Sequence, residues 1–256
     1  MGIVDTHIHT IFLSWQDIME ISSNGYEALV TLSFTPYKPR SIDSLMDHFE
    51  HMLMESTRIG KFGLNCIVGL GVHPRCLNPK LLEDIPRVLE EYLDKAGALG
   101  EVGLEECSDL EVKLLVSQVQ VAVKLDKPIV IHTPRRNKAA ALRKIVKILE
   151  NLGVPEELVV IDHMSASNEL LDLVENKNYM LGFTIQPGKA SVSDVLYIIE
   201  ERPEFIERVV LNSDAQAENP SNYLAVADAL EELEDRGYSR EAYRVTSLNA
   251  KKLFKW

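Results

Sequence analysis

Short apolar runs rich in valine, isoleucine and leucine alternate with longer mixed segments along the whole chain. The short runs have the length of strands that are buried on both faces, and the longer segments carry apolar residues at helical spacing. Eight strands are predicted, at residues 2–7, 28–34, 64–73, 97–103, 128–133, 158–163, 179–185 and 208–214. Strands and helices that alternate in this way form parallel βα units.

Helices are predicted at residues 42–59, 80–94, 109–125, 137–151, 167–176, 191–201 and 220–236, with a last one near 240–254. Ser41, Ser108 and Ser191 stand where a serine hydroxyl caps a helix. The first connection, residues 13–27, is predicted to be only weakly helical. Eight such units predict an α/β fold, a TIM (β/α)8 barrel, as a single domain over residues 1–256. An open doubly wound sheet is the alternative, but the chain lacks a G-x-G-x-x-G turn after its first strand.

The composition, with 46% hydrophobic and 26% charged residues, is that of an ordinary globular protein. A net charge of −12 and the lack of a long basic block argue against broad adhesion to nucleic acid backbones. Three cysteines without C-x-x-C spacing argue against disulfides and a thiolate zinc site. No basic leader precedes the first strand, and no apolar run approaches the ~18 residues of a membrane span. A soluble, cytoplasmic protein is expected.

Most of the histidines fall at the carboxyl ends of predicted strands, where a barrel of this kind carries its chemistry. They are His7 and His9 after strand 1, His73 after strand 3, His132 after strand 5 and His163 after strand 6. Because His7 and His9 are two residues apart, a strand points both imidazoles to one face. His48 and His51 fall on a predicted helix and are expected to be solvated.

Two carboxylates belong to the same end of the barrel, Glu101 in GEVGLE and Asp214 in LNSDA. Imidazoles and carboxylates together suit borderline divalent ions, so the sequence predicts one or two bound metal ions, with zinc, manganese and magnesium as candidates. Asp5 and Asp162 are expected to orient imidazoles or to act as caps. His73 taken alone is more typical of a structural residue, with substrate contact as the alternative.

The ordered motifs H-x-H, GVHP, GEVGLE, IHT, IDH, SDA and NAKKLF resemble the amidohydrolase superfamily, and more narrowly the TatD-type metal-dependent hydrolases and deoxyribonucleases. The resemblance covers the whole chain. It implies two groups of metal ligands bridged by Glu101, namely His7, His9 and Asp214 in one and His132 and His163 in the other. Two departures point to a divergent branch: Glu105 stands where the family typically has aspartate, and the segment after strand 6 reads HMSAS.

A pair of divalent ions lowers the pKa of a bridging water to roughly 7, which makes a hydroxide nucleophile available at neutral pH. Asp214 is then the expected catalytic general base. For a phosphodiester substrate, the loop TPRRNK after strand 5 places Arg135, Arg136 and Lys138 near the developing negative charge. Lys38, in the loop after strand 2, is a second candidate for contact with a phosphate.

The leading hypothesis is a metal-dependent phosphodiesterase or deoxyribonuclease whose substrates include phosphoesters and single-stranded DNA. The first alternative is hydrolysis of a small amide, lactone or other carbonyl compound, because the same metal pair serves both reactions. The second alternative is a non-catalytic metal-binding barrel, against which the presence of Asp214 as a combined ligand and base argues. The sequence leaves the metal, the physiological substrate and the oligomeric state open.

Overall fold

The computed structural model describes residues 2–216 and 218–255, in which eight parallel strands alternate with helices. The strands are β1 (Ile3–Ile8), β2 (Tyr26–Leu32), β3 (Asn65–Leu70), β4 (Ala98–Gly103), β5 (Ile129–His132), β6 (Val159–Ile161), β7 (Met180–Thr184) and β8 (Val209–Asn212). They pair in sequence order from β1 to β8. Each strand lies within a few residues of its predicted position, so the prediction of a TIM barrel is confirmed.

The barrel closes where β8 meets β1, at the carboxyl ends of both strands. The backbone N–H of Asp214 donates to the carbonyl oxygen of His7 over 2.9 Å, and the N–H of His9 donates to the carbonyl oxygen of Ala215 over 3.0 Å. The three residues predicted to share one metal therefore lie on the seam of the barrel. Closure of the sheet fixes their backbones relative to one another.

The helices are α1 (Trp15–Ser23), α2 (Ile42–Gly60), α3 (Ile85–Leu93), α4 (Asp109–Lys124), α5 (Lys138–Asn151), α6 (Asn168–Asp172), α7 (Val192–Glu201), α8 (Ala225–Asp235), α9 (Ser239–Tyr243) and α10 (Asn249–Phe254). The connection predicted to be weakly helical contains α1, a regular helix. Ser14 and Asp17 form a capping box at its start, which satisfies two backbone N–H groups. Among the described residues, no helix combines the length and the apolar character needed to cross a bilayer.

Other helices differ from the prediction mainly at their ends. Pro79 and Pro220 open short 3-10 turns that precede α3 and α8, because proline has no N–H to offer and suits a first turn. The last predicted helix is divided, since a π-helical segment, Arg244–Leu248, separates α9 from α10. The helix predicted at 167–176 is regular only over the five residues of α6.

Apolar side chains fill the barrel interior near the amino ends of the strands. This inner cluster contains Val4, Ala28, Val30, Leu32, Ala98, Val130, Val160, Met180 and Val210. Ala250, Leu253 and Phe254 of α10 pack against it and close that end. Alternate strand residues face outwards and join the larger core beneath the helices. The carboxyl ends of the strands are left as the open end of the barrel.

His48 is buried, so the prediction that it is solvated is wrong. Its Nε2 lies 3.0 Å from Oγ of Ser33, just after β2. Burial lowers the pKa of the imidazole to about 4, which keeps the ring neutral near pH 7. His48 lies three residues after Leu45 and four before Met52, on the buried face of α2. His51 is exposed, as expected.

Candidate metal centre

Six buried side chains converge at the open end of the barrel, and they are the six predicted metal ligands: His7, His9, Glu101, His132, His163 and Asp214. In the first group, Nε2 of His9 lies 3.1 Å from Nε2 of His7 and 3.2 Å from Oδ1 of Asp214. Oε2 of Glu101 lies 3.4 Å from Nε2 of His7. Ligand atoms of His7, His9 and Asp214 all lie within 4.8 Å of one another, close enough for one ion in the space between them to touch all three.

The imidazoles of the first group are held by the ring nitrogen that faces away from this space. Nδ1 of His9 lies 2.8 Å from the carbonyl oxygen of Leu32, which can only accept, so Nδ1 carries the proton. Nδ1 of His7 is bonded in the same way to the carboxylate of Asp162. When both rings are neutral, their Nε2 lone pairs face each other. A cation between them removes that repulsion, so this donor set fits a divalent ion.

The second group is arranged around the other oxygen of Glu101. Oε1 lies 2.6 Å from Nδ1 of His132 and 3.0 Å from Nε2 of His163. Each ring is again held from behind: Nε2 of His132 lies 2.8 Å from Oε2 of Glu105, and Nδ1 of His163 lies 2.7 Å from Oγ1 of Thr184. Because carboxylates only accept, both ring nitrogens of His132 face acceptors. Burial lowers the pKa of this imidazole, but Glu101 and Glu105 together raise it above the ordinary value for histidine.

His73 is oriented differently from these four imidazoles. Its Nδ1 accepts the backbone N–H of Arg75 over 3.0 Å, so the neutral ring carries its proton on Nε2. That nitrogen lies 3.8 Å from Oε1 of Glu101. Burial and the neighbouring His132 hold the pKa of His73 well below its ordinary value. His73 therefore presents a hydrogen-bond donor to the site, whereas a ligand would present a lone pair.

Both carboxylates of the centre are ionised. Burial alone would raise the pKa of Glu101, but His7, His73 and His132 hold it well below the ordinary value for glutamate. For Asp214 the opposing groups are a hydrogen bond to His9 and the charges of His7 and Lys189, which lower its pKa in the same way. Two buried anions and four oriented imidazoles form a site that favours cations.

Asp162 bonds one histidine of each group, His7 of the first and His163 of the second. Oδ1 accepts the backbone N–H of His163 and the side-chain amide of Asn212, each over 2.8 Å, and Oδ2 is bonded to His7. Gly182 on β7 makes room for this carboxylate, because a Cβ there would lie 2.1 Å from Oδ1. The structure thus places Asp162 in the orienting role expected from the sequence.

Asp5 supports the backbone at the barrel seam. Its Oδ1 accepts the N–H of His7 over 3.0 Å and the N–H of Ser213 over 3.2 Å. Complete burial raises the pKa of Asp5 to about 7. Both His163 and Asp214 have left-handed backbone conformations, with φ of 58° and 46°. Strained backbone of this kind is concentrated at functional sites in proteins.

The family model for TatD-related DNases matches residues 4–255. The chain belongs to this family. It is 33% identical to an uncharacterized metal-dependent hydrolase of Methanocaldococcus jannaschii, over 82% of this chain and 83% of that protein. It is 24% identical to the human deoxyribonuclease TATDN3, over 99% of this chain and 95% of that protein.

A crystal structure of the TatD-like protein from Archaeoglobus fulgidus is similar throughout. It is 33% identical in sequence, the match covers 99% of this chain and 100% of that one, and the TM-score is 0.82. These comparisons confirm the predicted family, the barrel and the class of metal-dependent hydrolytic enzymes.

Lys189 is a charged residue of this TatD-family site that was not predicted from the sequence. It follows Gly188, whose φ of +79° turns the chain back over the barrel after β7. Its Nζ is bonded to Oδ2 of Asp214 and lies 3.3 Å from Nδ1 of His163, and its side chain is 7% exposed. The signal was present, because QPGK follows strand 7 at the same end of the barrel as the histidines.

A cavity of about 320 Å³ opens over the metal centre. Of the residues predicted to bind substrate, His73 and Arg135 line it, whereas Arg136 and Lys38 are exposed and do not. Arg75 lines it as well and was not predicted. The cations near the centre thus come from loops after β3, β5 and β7 rather than from the loop after β2.

Proposed function

We propose that this chain is a divalent-metal-dependent hydrolase that cleaves phosphodiester bonds, as deoxyribonucleases do. In this proposal, metal would be held by six residues, His7, His9, Asp214, Glu101, His132 and His163. The proposal rests on one observation. In each of the four imidazoles, one ring nitrogen bonds a partner outside the site, and the other ring nitrogen faces Glu101 or Asp214. The names of the human and archaeal relatives support the same reaction class.

When bound, one or two divalent ions would supply a water of lowered pKa and would neutralise charge on the phosphate. Zinc and manganese suit the mixture of imidazole and carboxylate, and magnesium is tested beside them. Asp214 is the proposed general base, since its carboxylate is ionised and faces the space between the two groups. The proton that it takes up can then pass to the leaving oxygen.

Cationic side chains favour a phosphodiester over a carbonyl substrate. The transition state of phosphoryl transfer carries charge on several oxygens. Arg75, Arg135 and Lys189 line the cavity, and the Nε2 proton of His73 adds a further donor. A single developing oxyanion on carbon would need fewer donors. We therefore place phosphoesters, and single-stranded DNA among them, ahead of amides and lactones.

The decisive experiment incubates metal-stripped protein with an end-labelled single-stranded DNA oligonucleotide and adds back magnesium, manganese or zinc. Asp214→Asn, purified in parallel, controls for contaminating nuclease. Cleavage that requires metal and is lost in the variant is the expected result. Absence of cleavage in protein that rebinds about two ions per chain would contradict the proposal and direct the search to carbonyl substrates.

The cytoplasm is the compartment that we propose. Cys66, Cys76 and Cys107 are free thiols, which a reducing compartment preserves. Fractionation of cells that produce a tagged chain tests this, and recovery in an oxidising compartment would contradict it.

A further inference from the structure

A second cavity, of about 550 Å³, lies beside the metal centre, between the start of α5 and the loops that follow β6 and β7. Four cationic residues line it, Arg135, Lys138, Arg143 and Lys189, together with a single carboxylate, Glu169. The chain as a whole carries a net charge of −12. Such a local excess of positive charge in an acidic protein attracts anions.

The two cavities adjoin each other and share part of their lining. Arg135, His163 and Lys189 line both of them, so a molecule that spans the boundary touches the metal centre and the second cavity at once. Lys189 reaches Asp214 in the first cavity, and Lys138 is bonded to the carbonyl oxygen of His163 from the second. These bonds hold both lysines at the boundary.

Part of this positive charge is available to an incoming anion, although Lys189 is already paired with Asp214. Arg135 makes no ion pair within the described parts of the chain. Arg143 meets Glu169 at 3.4 Å, and both side chains are more than half exposed, so the pair is weak. The lining also includes Ser165 and Ser167, whose hydroxyls can donate hydrogen bonds.

We infer that the second cavity binds a second phosphate of the substrate, the one next to the phosphodiester that is cleaved. This rests on the proposed function, because it takes the metal centre as the place of cleavage. A single nucleic acid strand carries a phosphate at every nucleotide, so it fills both cavities without any base being read. The preferred substrates are then strands with at least two phosphates.

The test compares a thymidine dinucleotide, which has one phosphodiester, with the same molecule phosphorylated at its 5′ or its 3′ end. The added phosphate is expected to raise kcat/KM of the wild-type protein about tenfold, the effect of one charged hydrogen bond. Arg143→Gln should lose most of that gain. Lys147→Gln is the matched control, because it removes a cation one helical turn further along α5, outside the cavity.

Binding is measured separately on metal-free protein, by calorimetry with the phosphorylated dinucleotide. Arg143→Gln should weaken it about tenfold and Lys147→Gln less than twofold. A dinucleotide analogue with a propanediol spacer carrying the second phosphate separates phosphate recognition from nucleotide recognition. An equal gain with the spacer assigns the cavity to phosphate alone, and a gain confined to the nucleotide assigns it to phosphate with its sugar.

Two results would overturn the inference: no gain from the second phosphate, or a gain that Arg143→Gln retains. The proposed function fails separately, if wild-type protein cleaves none of these compounds with any metal. The calorimetric comparison of Arg143→Gln with Lys147→Gln then still decides the role of the cavity.

Discussion

At the amino ends of the strands, valine, alanine and methionine side chains fill the barrel interior, and α10 closes it. At the carboxyl ends of the same strands, a few residues further along, the interior holds imidazoles and ionised carboxylates. Apolar burial at the first end contributes directly to folding. Buried charge at the second end costs free energy unless a cation compensates it. One sheet thus has a stabilising end and a reactive end.

This division means that stability and activity are separable in this chain. Changes at the closed end should lower the free energy of unfolding and leave metal binding intact. Changes at the open end should abolish activity and leave the barrel folded.

The largest effect is expected for Asp214→Asn, which replaces a proposed metal ligand and base at the open end. We expect kcat/KM to fall by on the order of 10³, because a neutral amide neither accepts a proton nor compensates a cation. The far-ultraviolet circular dichroism spectrum should match that of the wild type. A variant that keeps a tenth of the activity would remove Asp214 from the mechanism.

Removal of metal should lower the free energy of unfolding, because the buried charges at the open end are then uncompensated. A ligand present at about 1,000 times its Kd stabilises a folded protein by about 4 kcal/mol, and the facing Nε2 atoms of His7 and His9 lose their compensation without it. Urea unfolding of chelated and metal-loaded protein measures the difference. Asp214→Asn serves as the comparison. Because this variant should bind metal more weakly, its unfolding free energy should differ less between the chelated and the metal-loaded protein. Equal stability with and without metal would argue that no ion binds there.

Leu253→Ala tests the closed end. Leu253 is 5% exposed and packs beneath the inner apolar cluster, so truncation should cost about 2–4 kcal/mol of unfolding free energy. Metal content and kcat/KM should stay close to wild type. Leu248→Ala, at a side chain that is 40% exposed, should cost less than about 0.5 kcal/mol. Loss of metal in Leu253→Ala would show that the two ends are coupled.

Asp162→Asn tests how far orientation alone matters at the open end. The carboxylate is fully buried and holds His7 and the backbone of His163. Loss of such an orienting partner typically lowers metal affinity or activity 10- to 100-fold. Metal titration followed by kcat/KM at saturating metal separates the two losses. If neither quantity changes, orientation of His7 does not depend on this contact.

The sequence predicted the barrel and the meeting of six side chains at one rim, because strand order and strand ends carry that information. Parallel strands place their carboxyl ends at one rim, so His132 and Glu101 could be assigned to one site from their positions alone. The spacing of His7 and His9 gave their shared face, and their Nε2 atoms lie 3.1 Å apart.

Features that depend on loop paths were not readable in the same way. Lys189 enters the site because Gly188 turns the chain back, and Arg136 leaves it although its neighbour Arg135 points to the cavity. His48 was misassigned because burial of one helix face depends on what packs against it. Helical spacing to Leu45 and Met52 could have indicated this burial.

Glu105, the residue that departs from the family pattern, provides the smallest expected effect. It orients His132 as Asp162 orients His7, but its side chain is 30% exposed whereas that of Asp162 is fully buried. In Glu105→Gln, the amide oxygen or a water can still accept the Nε2 proton of His132, so the orientation of the ring is kept. We expect metal affinity and kcat/KM to change by less than about threefold, compared with the larger loss in Asp162→Asn. An equal loss in the two variants would show that the charge of the orienting carboxylate, rather than its burial, determines how well the imidazoles bind metal.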